Sequence, residues 1–203
     1  MQPTNEPAAP NPTGLVSRPA SPRASAAIKI AAGALLALSV AAAAGLAFVN
    51  SGVYDMAATT PHFDLTHKLV RTLIEQSIKR HARNIKVPDM DDPEKVHSGF
   101  KNFNAMCVTC HGAPGAPASE ISKGLYPAPP DLAEAAKGWT SAELYVIIKN
   151  GIKMSGMPAW EQSHSGDEIW ALVAFLKVFP AMPANEYREA AEYYERQEGG
   201  TGH

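Results

Sequence analysis

Residues 107–111 read Cys107-Val108-Thr109-Cys110-His111, and the rest of the chain is read outward from this pentapeptide. Two thiols three residues apart on a helical turn face the same way, and a histidine follows the second directly. Cys-x-x-Cys-His is the signature of c-type haem attachment. Both thiols can add to the two vinyl groups along one haem edge, and the histidine is then held under the macrocycle with its imidazole aimed at iron. Phe103 and Met106, just upstream, suit a helix running into an apolar crevice. A single occurrence of the motif implies one covalently bound haem c. A zinc site would need two further ligands at suitable spacing, and no second Cys-x-x-Cys occurs. A thioredoxin-like pair would need βαβ surroundings, for which there is no pattern. Cys107 and Cys110 are the only cysteines, so no long loop is stapled by a disulfide.

Around the motif, residues 91–183 carry helix punctuation. Asp92 followed by Pro93 is an N-cap with proline at the first helical position, opening a helix through about Met106. Asp131-x-x-Glu134, Thr140-x-x-Glu143 and Ser165-x-x-Glu168 have the spacing of capping boxes. Gly138 and Gly151 fall where the first two of those helices should stop. The last helix of this block, from Gly166 to Val178, ends before Pro180. Nothing alternates convincingly at period two, so the fold expected is all-α, with short helices joined by Gly/Pro-rich loops. Residues 185–197 suggest one more, solvated helix, followed by a glycine-rich end.

Downstream of the motif lie Pro129-Pro130-Asp131-Leu132, then Gly156-Met157-Pro158-Ala159-Trp160, then a helix containing Trp170, Phe175 and Lys177. In this order the motifs resemble the class I, His/Met-ligated bacterial cytochromes c, over roughly residues 92–180. The resemblance implies the class I cytochrome c fold, with short helices around one covalent haem. It places the axial ligands on His111 and Met157, and it gives the Pro130 carbonyl the role of accepting the Nδ1 proton of His111. It also suggests that Gly99 and Phe103 on the first helix cross Phe175 on the last. Gly156 and Pro158 agree locally with Met157, one permitting close approach and the other stiffening the loop. Met154 competes for the iron, and bis-His ligation or an open position are the remaining readings. Tyr126, Trp139 and Trp160 are candidates for the crevice wall or a propionate bond, or for ordinary core. His62, His67, His81, His97, His164 and His203 read as solvated polar residues.

Upstream, Ile30 to Val49 holds twenty residues without a charge. As a helix they rise about 30 Å, the thickness of a bilayer's hydrocarbon core. Arg18, Arg23 and Lys29 precede them, which puts the N-terminus in the cytoplasm. A cleavable signal peptide is the rival reading, given the Ala-x-Ala triplets within Ala41–Ala44; either way the remainder is exported. Between them and the motif, Leu65, Leu69 and Leu73, with Val70, Ile74 and Ile78, describe an amphipathic helix with a basic face. Its expected role is a stalk packed on the next domain; lipid headgroups or an acidic partner are the alternatives. The expected organisation is therefore a disordered tail (1–23), a transmembrane anchor or uncleaved signal (24–50) and a linker with a stalk helix (51–90). A cytochrome c domain (91–183) and a C-terminal helical tail (184–203) follow.

Eighteen Lys and Arg against twenty Asp and Glu leave a formal net charge of -2, which speaks against nucleic acid as a partner. If both axial positions are filled, no iron site is open to substrate, and the resemblance implies an electron-transfer protein and not an enzyme. Three functions stay in view. One is a membrane-anchored periplasmic carrier, in the bacterial inner membrane, between a dehydrogenase or quinol-oxidising complex and a terminal oxidase or reductase. Another is a fixed haem subunit of a membrane-bound dehydrogenase or oxidase complex. The third is a haem enzyme or gas sensor.

Overall fold

The structure, a computed structural model, describes residues 22–199; nearly all of the tail expected at 1–23, and His203, lie outside the described residues. Among these the secondary structure is helical, with no strand. The chain divides into two compact units, at Asp55 and Met56.

The first unit contains α1, Pro22–Asn50. Its stretch Ser25–Asn50 is long and apolar enough to cross a membrane, by length and composition. Two of its polar side chains bond back to the helix itself, Ser39 Oγ to Leu35 O at 2.9 Å and Asn50 Nδ2 to Leu46 O at 2.7 Å. A helix in an apolar medium must satisfy its polar groups internally in this way.

The second unit holds α2 (Asp64–Ala82), α3 (Pro93–Asn102), α4 (Val108–His111), α5 (Glu120–Lys123), α6 (Leu132–Ala135), α7 (Ser141–Asn150), α8 (Gly166–Val178) and α9 (Ala184–Gly199). Helix α3 starts as its sequence dictates: Asp92 accepts from the Glu94 N–H at 3.0 Å and Pro93 holds the first position. The end expected near Met106 is not a break. Between Phe103 and Cys107 the ladder widens to a π-turn, in which the Val108 N–H donates to Phe103 O, and helical backbone then runs on through α4. One extra residue per turn shifts the register between the fully buried Phe103 and the cysteines that follow it.

Two of the three capping boxes form in full, Thr140 with Glu143 and Ser165 with Glu168. The third does not: Asp131 accepts from the Ala133 N–H at 2.8 Å, while Glu134 turns away to pair with Lys137 at 2.7 Å. Helix α6 is a single turn, and the lysine one turn on outcompetes the cap. At Ser165, the serine's backbone N–H and hydroxyl both donate to Glu168 and hold its carboxyl below its ordinary value of 4.5. A folded-state pKa lowered in this way adds stability that is complete above the unfolded value and lost as pH falls through the folded one. Ser165→Ala is expected to cost about 1 kcal/mol, read as a lowered urea midpoint with an unchanged slope.

The core centres on the crossing of α3 and α8. A Cβ at Gly99 would lie 2.0 Å from the Ala171 carbonyl oxygen and 2.8 Å from Phe175 Cβ, so only glycine permits this approach. Around the crossing, Phe100 and Phe175 meet edge-on at 5.5 Å, and Phe103 lies 4.9 Å from Phe179, distances typical of favourable ring pairs. Helix α9 is packed where its polar sequence suggests a solvated helix. Tyr187 is 3 % exposed, its ring is 5.3 Å from that of Phe100, and its hydroxyl donates to Asn104 Oδ1 at 2.8 Å. Ala190, Ala191 and Tyr194, on the same face, pack against the same core.

Helix α2 packs on α7, with Ile78 and Ala82 buried against Val146. Its Val70–Ile74–Ile78 stripe turns toward the domain. The stripe of Leu65, Leu69 and Leu73 stays 57–70 % exposed.

Candidate haem site

The second unit encloses a cavity of about 450 Å³, within the ~300–1,000 Å³ range of cofactor sites. Cys107, Cys110, His111, Pro130 and Met157 all line it, so the five residues singled out in the sequence share one space. The π-turn and α4 deliver the cysteines and the histidine. The Leu125–Pro130 loop brings up the proline, and the loop between α7 and α8 brings the methionine. Phe103, Met106, Tyr126, Trp139 and Trp160 also contribute to the wall.

His111 Nδ1 lies 2.8 Å from Pro130 O. A carbonyl can only accept, so Nδ1 carries the proton and Nε2 keeps a lone pair for a metal. Burial pushes the His111 pKa below its usual 6.5, and the Pro130 bond pulls partly back. Charge and tautomer thus both leave the imidazole a competent ligand. The Cys107 thiol is pushed up to about 12, by burial first and by Cys110 second. Thioredoxin-like reactive cysteines are shifted downward instead. Ser122 Oγ donates to Cys110 O at 2.7 Å and fixes the backbone behind the motif.

The methionine loop is held at its base by Gly151, whose φ of +63° and approach to Pro158, 2.5 Å from the carbonyl carbon to an added Cβ, exclude any side chain. Ile152 N–H donates to Met157 O at 3.1 Å, and Met157 N–H donates to Ser155 Oγ at 3.1 Å. Met157 is half-buried and packed against the core, whereas Met154 is 73 % exposed. The close approach at Gly156 is to Leu125, with an added Cβ 2.9 Å from its Cδ2.

Two observations test whether these residues fit a haem. The donor set of two thiols, an imidazole and a thioether on one apolar cavity is that of c-type attachment. Trp160 Nε1 is buried on the cavity wall without a partner, and a carboxylate on a bound haem would supply the acceptor it lacks. His62 and His67 line the same cavity, yet among the described residues no three His, Cys, Asp or Glu gather closely enough to hold a metal ion.

Residues 94–176 match the model of a family described as Cytochrome C oxidase, cbb3-type, subunit III. The chain carries a c-type cytochrome domain. No curated protein matches the chain. The cytochrome domain implies covalently bound haem c and haem-based electron transfer. The match runs from α3 to α8 and leaves α1, α2 and α9 outside. Two contributors to the site come from outside it and are not assigned to it by the sequence. They are the Val70–Ile74–Ile78 stripe on the cavity wall and Tyr187 behind the motif, whose hydroxyl is pushed up to about 12 by burial and then by Cys107. The stripe's 4-residue period was visible; which of the two stripes on α2 turns inward was not.

Proposed function

We propose that this chain is a monohaem cytochrome of the class I, His/Met-ligated type. In this reading α1 anchors it in the bacterial inner membrane as a single pass, N-terminus in the cytoplasm, and its haem domain carries electrons in the periplasm between respiratory partners. Bound haem supplies one-electron chemistry at its iron. Cys107 and Cys110 would tether the ring, His111 and Met157 would hold its iron, and the Pro130 carbonyl orients the His111 imidazole. The observation that carries this reading is the convergence of His111 and Met157 on one apolar cavity. Nε2 of the histidine is left free there, and the competing Met154 is mostly solvated. A centre held in this way would exchange electrons without binding substrate. Tethering confines the carrier near its partners and raises its effective concentration there.

A second reading has specific support. The matched family is described as an oxidase subunit, and α2 and α9 extend the domain beyond the matched stretch, as docking elements of a fixed subunit would. Purification of the full chain in mild detergent at moderate salt separates the two. A carrier comes through alone, and a stable hetero-complex would assign the chain to a dehydrogenase or oxidase assembly. The intact mass of the same sample is expected to equal the full chain plus one haem; loss of the segment up to about residue 44 would make 24–50 a cleaved signal.

A further inference from the structure

We infer that α2 is a wall of the redox centre, and that Ile74 is a positioning residue through which a segment outside the cytochrome module sets the haem's exposure and its reduction potential. Val70, Ile74 and Ile78 recur every four residues along α2 and line the same cavity as His111 and Met157. The helix is braced at both ends. At its C-terminal end Ile78 and Ala82 are buried against Val146 of α7. Just before its N-terminus the His62 N–H donates to the Tyr126 hydroxyl at 2.9 Å, and Tyr126 belongs to the loop that carries Pro130. Between the braces, Arg71 and Glu75 are 2.9 Å apart on the cavity rim. The pair brings no net charge, so α2 presents the cavity with apolar surface, a neutralised pair and, one turn from its N-terminal end, the His67 imidazole.

An apolar wall raises the potential of a haem by excluding water, which solvates the more charged oxidised state better. The leucine stripe of the same helix provides an internal control. Leu73 is adjacent to Ile74 in sequence but lies on the face turned to solvent, 70 % exposed. A charge there is screened by water and salt.

The inference rests on the haem reading above, and the test keeps the two apart. Full-length protein in detergent is compared as the unmutated chain, Ile74→Asp, Leu73→Asp and Ile74→Val, by redox titration, haem stain and melting temperature. Ile74→Asp is expected to shift the midpoint potential clearly downward, whereas Leu73→Asp and Ile74→Val stay at the wild-type value. Equal shifts in both aspartate variants would overturn the inference, as would no shift in either. A lowered melting temperature with unchanged potential would also overturn it, by making α2 a mere brace on α7. If Ile74→Asp fails to take up haem, Val70→Thr replaces it, adding a hydroxyl at nearly constant shape. The same downward shift, smaller in size, supports the inference, and a wild-type potential overturns it. Absence of covalent haem from the unmutated chain would defeat the haem reading itself.

Discussion

Met157→Ala is expected to lower the reduction potential by on the order of 0.1 V or more, within the roughly 0.8 V that axial ligands command, while Met154→Ala leaves it nearly unchanged. A thioether favours ferrous iron, so its loss favours the oxidised state and opens a coordination position. The asymmetry follows from the loop. Met157 is packed against the core and its backbone is pinned through Ile152 and Ser155, whereas Met154 sits at φ +60° with 73 % of its surface in water. Met154 also lines the cavity, but its exposed side chain would have to turn in from solvent to reach the iron. Redox titration of both variants checks this, and carbon monoxide binding to reduced Met157→Ala is the expected companion result. The reverse pattern would move the ligand to Met154.

Gly99→Val is expected to destabilise the domain by at least about 3 kcal/mol, a large share of the ~5–15 kcal/mol that holds a typical domain folded. An added Cβ would stand 2.0 Å from Ala171 O and 2.6 Å from its carbonyl carbon. These are backbone atoms, so no rotamer change relieves the clash and α3 must lift from α8. The ring cluster of Phe100, Phe103 and Phe175 loosens with it. Since α3 leads directly into the haem motif, haem incorporation should fall in parallel. Gly138→Ala is the matched control: nothing lies within 4 Å of a Cβ there, and stability should be unchanged or slightly higher. Urea titration followed by far-ultraviolet circular dichroism compares the two.

The site was legible because its chemistry is written in short, spaced motifs. Cys107, Cys110 and His111 need only a helical turn to act together, and such local geometry survives in a sequence. The two capping boxes at Thr140 and Ser165 were legible for the same reason, whereas the close crossing at Gly99 was legible only through the resemblance to class I cytochromes c. What escaped detection depends on tertiary contact. Helix α9 looks solvated because Glu186, Arg188 and Glu189 dominate its letters, yet Tyr187, Ala190 and Tyr194 align on one face and bury against the core. Helix α2 carries two apolar stripes, and only the packing against Val146 decides that Val70, Ile74 and Ile78 turn inward while the leucines face out. The π-turn at Phe103–Cys107 leaves no composition signal, because it reconciles a buried phenylalanine with cysteines that must face the cavity.

The central claim is that one haem, held by Cys107 and Cys110, lies between His111 and Met157. The most direct measurement is the absorption spectrum of the purified, oxidised protein in the far red, followed by reduction under carbon monoxide. The account predicts the weak sulfur-to-iron band in the oxidised form and a reduced form unchanged by carbon monoxide. A spectrum without that band, or a reduced protein that binds carbon monoxide readily, would contradict it.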